Sequence, residues 1–175
     1  AGLEVESVSD RYDYLNSVVV GRILTCVPHP KADRLKLCRV DVGHGMISVV
    51  CGAPNAREDM VSACALPGTL LPNGVVVDKG SIRGEVSEGM LCSDMELGLG
   101  PDHSGIVDLS VNLTAGTPLN KALSLSDMVF EVDLTPNRPD CLSILGIARE
   151  VAAIQGNRVT YPDIEAPQSS DEISK

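Results

Sequence analysis

The sequence predicts a mainly β protein, a small barrel or sandwich, followed by a shorter α+β segment. Between Val18 and Leu109, short apolar runs rich in β-branched residues alternate with Gly, Pro and Asn. Many short strands with closely spaced turn signals are typical of an all-β barrel or sandwich, and a small barrel also protects its strand edges. After Leu109 the helix signals begin.

The predicted strands follow the apolar runs in order. The Asn73–Gly74 pair indicates a tight turn, and Gly43 and Gly45 flank another. Pro28-His29-Pro30 is expected to end the first strand. The strands are expected at residues 18–27, 35–42, 46–52, 61–66, 81–84, 90–93 and 105–109.

The second part of the chain carries helix signals around one further strand. Thr117 and Pro118 resemble the N-cap and first residue of a short helix, and residues 130–134 alternate as a strand. Asp140 is expected to cap a helix over residues 141–155 that ends at Gly156. Asn137 and Arg138, between two prolines, are expected to fix a turn through side-chain-to-backbone hydrogen bonds, with a subunit contact by Arg138 as the alternative.

Charge and aromatic content limit the ways in which the chain could bind a polyanion. The net charge is −10, but residues 17–110 hold eight Lys and Arg against eleven Asp and Glu, so most of the acidity lies in the flanks. The only aromatic residues are Tyr12, Tyr14, Phe130 and Tyr161. Single-stranded nucleic acids are usually bound by stacking on aromatic rings. We therefore expect any RNA binding to use phosphates, shape and polar contacts.

Six cysteines and three histidines show no metal-ligand spacing. No CxxC pair occurs, so the cysteines predict buried, reduced thiols and no metal site. Cys51 is a candidate nucleophile by residue type, but no His or acid has a motif relation to it, and a place in the core is the favoured interpretation. The cysteines are Cys26, Cys38, Cys51, Cys64, Cys92 and Cys141.

Three motifs in the β region carry a family resemblance. His29-Pro30-Lys31-Ala32-Asp33-Arg34-Leu35, followed by Val-Asp-Val-Gly at 40–43, resembles the opening of the tRNA-binding OB domains. Val-Cys-Gly-Ala-Pro-Asn at 50–55 is similar to the next strand and turn of that family. The segment 82–98, which contains Ser-Glu-Gly-Met-Leu-Cys-Ser, resembles its most distinctive stretch.

The segments outside these motifs resemble those that surround the domain in one class of protein. Gly-Leu-Glu-Val-Glu at 2–6, Asp-His-Ser-Gly-Ile at 102–106 and Phe-Glu-Val-Asp-Leu-Thr-Pro-Asn-Arg-Pro-Asp-Cys-Leu at 130–142 are similar to segments of bacterial-type phenylalanyl-tRNA synthetase β-subunits. The likeness covers nearly the whole chain except the tail. Lys31 departs from it, since many relatives carry Asn there.

The resemblance implies a fold and a division of the chain. It implies a five-stranded OB barrel with a small, incomplete α+β flanking domain, and we expect an upstream part of that domain to be missing. The expected parts are residues 1–14 in the flanking domain, 15–125 in the OB domain, 126–162 in the flanking domain again, and 163–175 as a polar, disordered tail.

The resemblance also implies a function for the parent enzyme. That enzyme joins phenylalanine to its tRNA with ATP and Mg²⁺, as a cytoplasmic assembly of two α and two β subunits. Its catalytic motifs lie in α, and its editing and anticodon-binding domains lie elsewhere in β. We therefore expect this chain to have tRNA, the α subunit and a second β subunit as partners. By itself it should have no catalytic residue, cofactor, metal or membrane contact.

Basic residues near the first barrel loop are the candidate RNA contacts. Four cations occur within nine residues, and two more flank a later strand, although a solvated strand face would explain them as well. The flexible Ser-Glu-Gly-Met stretch is a second candidate region, for which structural constraint is the alternative. The candidates are Lys31, Arg34, Lys36, Arg39, Lys79, Arg83, Ser87 and Met90.

Two other functions fit the same residues. The chain could be a free-standing tRNA-binding module, although such a module has no need of the segment 130–142. It could also be a purely structural domain that holds a synthetase together with little RNA contact. Sequence does not separate this last hypothesis from RNA binding.

Overall fold

The computed structural model describes residues 3–163, which form two compact units. One unit comprises residues 9–129, and the other is formed by the segments on either side of it. The strands are β1 (Leu3–Asp10), β2 (Val18–His29), β3 (Ala32–Asp41), β4 (Met46–Cys51), β5 (Val61–Ala65), β6 (Gly80–Ile82), β7 (Glu85–Ser87), β8 (Met90–Leu91) and β9 (Met128–Leu134). The helices are α1 (Leu119–Ala122) and α2 (Ile144–Gln155). No helix within the described range is long and apolar enough to cross a membrane.

The larger unit is built on an antiparallel sheet with the order β4–β3–β2–β5–β8. Strand β2 is its centre because its first half pairs with β5, from Val18 opposite Ala65, while its second half pairs with β3. A register irregularity between Ile23 and Thr25 marks the change of partner and bends the strand. The predicted mainly β, OB-like barrel is confirmed.

The outer edge of β4 meets the segment that leads into β8. The backbone N–H of Glu88 donates to the Ser48 carbonyl (2.8 Å), and the N–H of Val50 donates to the Ser87 hydroxyl (3.1 Å). One of these bonds uses a side chain, so the closure is not a regular strand ladder. The sheet curls in this way into a barrel without a free β4 edge.

Apolar side chains fill this unit in two buried clusters. The first contains Ile23, Val40 and Val49 of β2, β3 and β4, together with residues of β5, β8 and the connecting loops. The second lies towards the 3₁₀ turn at Asp13–Ser17 and contains Leu15, Leu71, Leu97 and Leu119. In the second half of β3 and in β4, buried residues alternate with more exposed ones, so one face packs on the core and the other is only partly covered.

The predicted strand at residues 105–109 is absent, which corrects the sequence prediction. The N–H of Val107 donates to the Cys92 carbonyl, whereas the N–H of Leu109 donates to the Val61 carbonyl, both at 2.9 Å. Because β8 already pairs with part of β5, the segment divides its bonds between two neighbours and forms no ladder. Strand β2 also continues through Pro28 and His29, where the sequence predicted its end.

The flanking unit contains the two-stranded sheet of β1 and β9 and the helix α2. The strand predicted at 130–134 and the helix end at Gly156, which has a left-handed φ of 70°, are confirmed. The predicted cap is wrong: Ser143 caps α2, with its hydroxyl accepting from the Gly146 N–H at 3.0 Å. Asp140 lies instead in a 3₁₀ turn.

One cap prediction also needs correction. At α1 the cap position is Pro118 and not Thr117, and no side chain caps that helix. At the turn before α2, Arg138 forms ion pairs with Asp140 (3.0 Å) and Glu150 (2.7 Å) that the sequence did not predict. A charged partner twelve residues downstream is available only once α2 has folded.

Candidate nucleic-acid interface

A buried histidine ties two exposed turns of the barrel together. His29 is 5% exposed and lies at the end of β2. Its Nδ1 accepts the backbone N–H of Lys31 (3.0 Å), so the proton lies on Nε2, which faces the Ile82 carbonyl oxygen at 3.4 Å. The β2–β3 turn is therefore fixed beside the β6–β7 turn.

The two linked turns carry exposed cations. The Lys31 ammonium lies 3.5 Å from the position that a Cβ on Gly84 would occupy, which brings it to the turn formed by Arg83 and Gly84. Arg83 has a left-handed φ of 54°, an uncommon conformation for a residue with a side chain. Lys31, Arg34 and Arg83 are all exposed. Lys31 and Arg83 are thus brought together from positions 52 residues apart.

An open groove of about 360 Å³ lies beside these turns, between the solvent face of β2 to β4 and the strand β7. Arg39 reaches over it and donates to the Ser48 hydroxyl at 3.0 Å. Val27, Leu37 and Val86 supply apolar walls. The groove therefore offers a cation, a hydroxyl and apolar surface together.

Lys79 and Glu88 form a neutralised pair beside this groove. The Lys79 ammonium lies 2.6 Å from Glu88 Oε1, and Glu88 Oε2 accepts the Ser48 N–H at 3.2 Å. The hydrogen bond from Lys79, and the Ser48 N–H after it, lower the pKa of the Glu88 carboxyl. Because Glu88 already pairs with it, Lys79 is less available to a phosphate than the sequence alone suggests.

Lys36 binds backbone carbonyl groups of the protein itself. Its ammonium donates to the carbonyl oxygens of Pro54 (2.8 Å) and Ala56 (2.6 Å) and so holds the loop after β4. The side chain is half-buried. Its geometry gives Lys36 an internal role.

Ser87 and Met90 also serve the barrel itself. Ser87 is 5% exposed; its hydroxyl donates to the Gly89 carbonyl and accepts from the Val50 N–H. Met90 pairs with Ala65 and packs against the second apolar cluster.

A family model described as "Putative tRNA binding domain" matches residues 18–118, which is more than half of the chain. The chain belongs to this family.

Curated relatives extend the likeness beyond that tRNA-binding domain. A phenylalanine–tRNA ligase beta subunit from Desulfotalea psychrophila is 47% identical over 161 residues, covering 92% of this chain and 20% of the relative. The beta subunit from Syntrophus aciditrophicus is 45% identical over 99% of the chain and 22% of the relative, and that from Rhodospirillum rubrum is 51% identical over 87% and 19%. The chain therefore spans about a fifth of the length of these relatives.

The tRNA-binding domain has no tyrosine or phenylalanine on its basic turns within the part of the chain that the structure describes. Tyr14 donates its hydroxyl to the Leu97 carbonyl (2.8 Å), and with Tyr12 it packs against the second apolar cluster. Phe130 and Tyr161 belong to the other unit. Base stacking on tyrosine or phenylalanine is thus not provided by the turns that carry Lys31 and Arg83.

One side-chain cluster in the flanking unit has metal-ligand chemistry. Single ligand atoms of Asp140, Cys141 and Glu150 lie within 4.8 Å of one another. The Arg138 guanidinium pairs with both carboxylates, and its hydrogen bond lowers the pKa of Asp140 to about 2. A cation therefore already occupies this cluster, and the donor set fits an ion-pair network better than a metal site.

Sequence reasoning did not assign His29 or Glu88 a role in the site. His29 belongs to the quoted motif, but only the folded chain shows that its imidazole faces Ile82, 53 residues away. Glu88 lies in the quoted Ser-Glu-Gly-Met stretch, and its partners Lys79 and Ser48 come from separate segments. The one sequence signal for this contact between the two turns is the position of His29 between two prolines.

Proposed function

We propose that the chain binds tRNA through its phosphates, as a non-catalytic part of a phenylalanine–tRNA ligase beta subunit. The observation that carries the proposal is the cluster of exposed cations on the two turns joined by His29. Lys31 and Arg83 both lie in the segment that the tRNA-binding family model matches, and Arg34 and Arg39 extend the same edge.

The electrostatics predict weak and salt-sensitive binding. The net charge is −10, and Asp33, Glu85 and Glu88 accompany the cations. Phosphate contacts give a log–log salt slope of roughly −0.7 to −0.9 per neutralised phosphate. With Lys31, Arg34, Arg39 and Arg83 as the available cations, two to four contacts predict a slope of roughly −1.4 to −3.6.

The whole protein would share the activity of the named relatives. In this proposal the complete enzyme ligates phenylalanine to tRNA with ATP and Mg²⁺ in the cytoplasm, and the beta subunit assembles with an alpha subunit and a second beta subunit. Catalytic groups and the sites for ATP and Mg²⁺ would be supplied outside this chain.

The alternative is a scaffold domain with little RNA contact. It is favoured by the hydrogen bonds of Lys36 to loop carbonyls and by the ion pair of Lys79 with Glu88. A titration of the chain with tRNA at several salt concentrations separates the two. Saturable binding with the slope given above supports the proposal. Absence of binding at low salt, or binding that does not respond to salt, would refute it.

A further inference from the structure

Three cysteines on adjacent strands lie behind the basic face of the barrel. Cys26 on β2 and Cys38 on β3 are direct cross-strand partners, and their sulfur atoms are 3.7 Å apart. Cys51 on β4 is the other thiol close to Cys38, and its interaction with Cys38 raises the pKa of Cys38. Cys38 therefore lies between two sulfurs.

The backbone at Cys26 and Cys38 suits a disulfide without a change of strand register. Directly opposed residues in antiparallel strands have Cα atoms roughly 4.5–5.5 Å apart. Disulfides need Cα atoms at about 4.4–6.8 Å, which includes this range. Rotation of the side chains alone can close the remaining gap between the two sulfurs.

Access to the cluster differs among its members. Cys38 and Cys51 are buried, at 1% and 5% exposed, whereas Cys26 is only partly buried. The Cys26 sulfur also lies 3.5 Å from the Ala56 carbonyl, at the loop that Lys36 holds. A reagent from solvent meets Cys26 first.

We infer that Cys26 and Cys38 form a thiol–disulfide exchange site for a low-molecular-weight disulfide such as glutathione disulfide. In the first step the Cys26 sulfur attacks glutathione disulfide, which gives a mixed disulfide and releases one glutathione. In the second step Cys38 attacks the Cys26 sulfur and displaces the second glutathione. The two protein thiols lose two electrons and two protons, and one glutathione disulfide becomes two glutathiones.

Cys38 is the less reactive thiol of the pair. The neighbouring Cys51 thiol and burial raise the pKa of Cys38, so little of it is thiolate. Its attack therefore follows the formation of the mixed disulfide on Cys26, and the displaced glutathione takes up the proton that Cys38 loses.

Peptide mapping of the oxidised chain tests this site directly. The native chain is incubated with glutathione disulfide, its remaining thiols are alkylated, and it is cleaved after Lys and Arg. The cleavage separates the three cysteines into peptides 23–31, 37–39 and 40–57. The expected product is peptide 23–31 joined to 37–39. A stable glutathione adduct on Cys26 without this link, or a link to peptide 40–57, would overturn the inference.

Variants test the role of each thiol. Cys38→Ser should stop the reaction at the glutathione adduct of Cys26, whereas Cys51→Ser should still link peptide 23–31 to 37–39. Cys92→Ser is the matched control because Cys92 lies in the second apolar cluster. Circular dichroism of each variant checks its fold, and the mapping of the unsubstituted chain decides the site even if a variant unfolds. Loss of the link in folded Cys51→Ser would overturn the assignment of Cys38 as the partner of Cys26.

Discussion

The His29 imidazole faces the Ile82 carbonyl oxygen at 3.4 Å and so joins the β2–β3 turn to the β6–β7 turn. Two cations that are remote in sequence, Lys31 and Arg83, become neighbours through this contact. Preorganised contacts bind more tightly than contacts that must be ordered on binding. The arrangement of the turns is therefore as important to the proposed interface as the charges themselves.

Replacing His29 should loosen the interface. We expect His29→Ala to reduce tRNA affinity at low salt by about threefold or more, because the turns would lose their link. Loss of the hydrogen bonds should also lower the free energy of unfolding by about 1–2 kcal/mol. Parallel tRNA titrations and urea unfolding measure both effects. His44→Ala is the control, since His44 is exposed between Gly43 and Gly45; equal affinities for the two variants would contradict the prediction.

Lys36 and Arg39 form a matched pair on one strand. Lys36→Met should lower the free energy of unfolding by about 1–3 kcal/mol, since two loop carbonyls lose a charged donor, and should leave the salt slope of tRNA binding unchanged. Arg39→Met should flatten the salt slope of tRNA binding and leave the free energy of unfolding nearly unchanged, because Arg39 donates to the Ser48 hydroxyl in the groove. Urea unfolding and salt titration of both variants check the pair. A reversed pattern would show that Lys36 is the phosphate contact.

Much of the fold could be predicted from the sequence because its signals are local. Runs of β-branched residues located most strands, and Gly156 marked the end of α2. The cap of α2 could not be predicted because Asp140 and Ser143 are both good capping residues. Arg138 decides between them by pairing with Asp140 and with Glu150, a contact that exists only in the folded chain.

The candidate site was predictable in composition but not in arrangement. The motifs identified the cations, and the structure shows Lys31 and Arg83 at adjacent turns. Sequence could not show that Lys36 donates hydrogen bonds to the loop carbonyls, since those carbonyls lie about twenty residues away. The same limit explains Ser87, whose hydroxyl satisfies the edge of β4.

Gly21 should be sensitive to any added side chain. A Cβ there would lie 2.8 Å from Val40 Cγ1 and 3.0 Å from the Cys64 Cβ, inside the sheet between β3 and β5. We expect Gly21→Ala to cost about 1–3 kcal/mol of unfolding free energy through overpacking. Gly45→Ala is the control, because nothing lies within 4 Å of the Cβ it would add, and its effect should stay within about 0.5 kcal/mol. Equal denaturation midpoints would contradict the predicted packing.

The Arg138–Asp140 ion pair predicts an acid-sensitive contact in the flanking unit. The hydrogen bond from Arg138 lowers the pKa of Asp140 to about 2 from an ordinary value of 3.8. A carboxyl with a lowered pKa in the folded state stabilises it above the ordinary value, and this stabilisation is lost as pH falls from about 4 to about 2. Carboxyl ¹³C NMR should show a titration midpoint near 2, and Arg138→Gln should raise it towards 3.8. A midpoint near 3.8 in the unsubstituted chain would contradict the ion pair.

The most direct test of tRNA binding by the two linked turns is the salt dependence of affinity for Lys31→Gln/Arg83→Gln. The control is Arg57→Gln/Lys121→Gln, which removes the same charge from exposed positions elsewhere in the same unit. If Lys31 and Arg83 each contact a phosphate, the log–log slope should flatten by about 1.5, and affinity at low salt should fall for any tRNA. The control should keep nearly the slope of the unsubstituted chain. Equal slopes for the two double variants would contradict phosphate binding by Lys31 and Arg83.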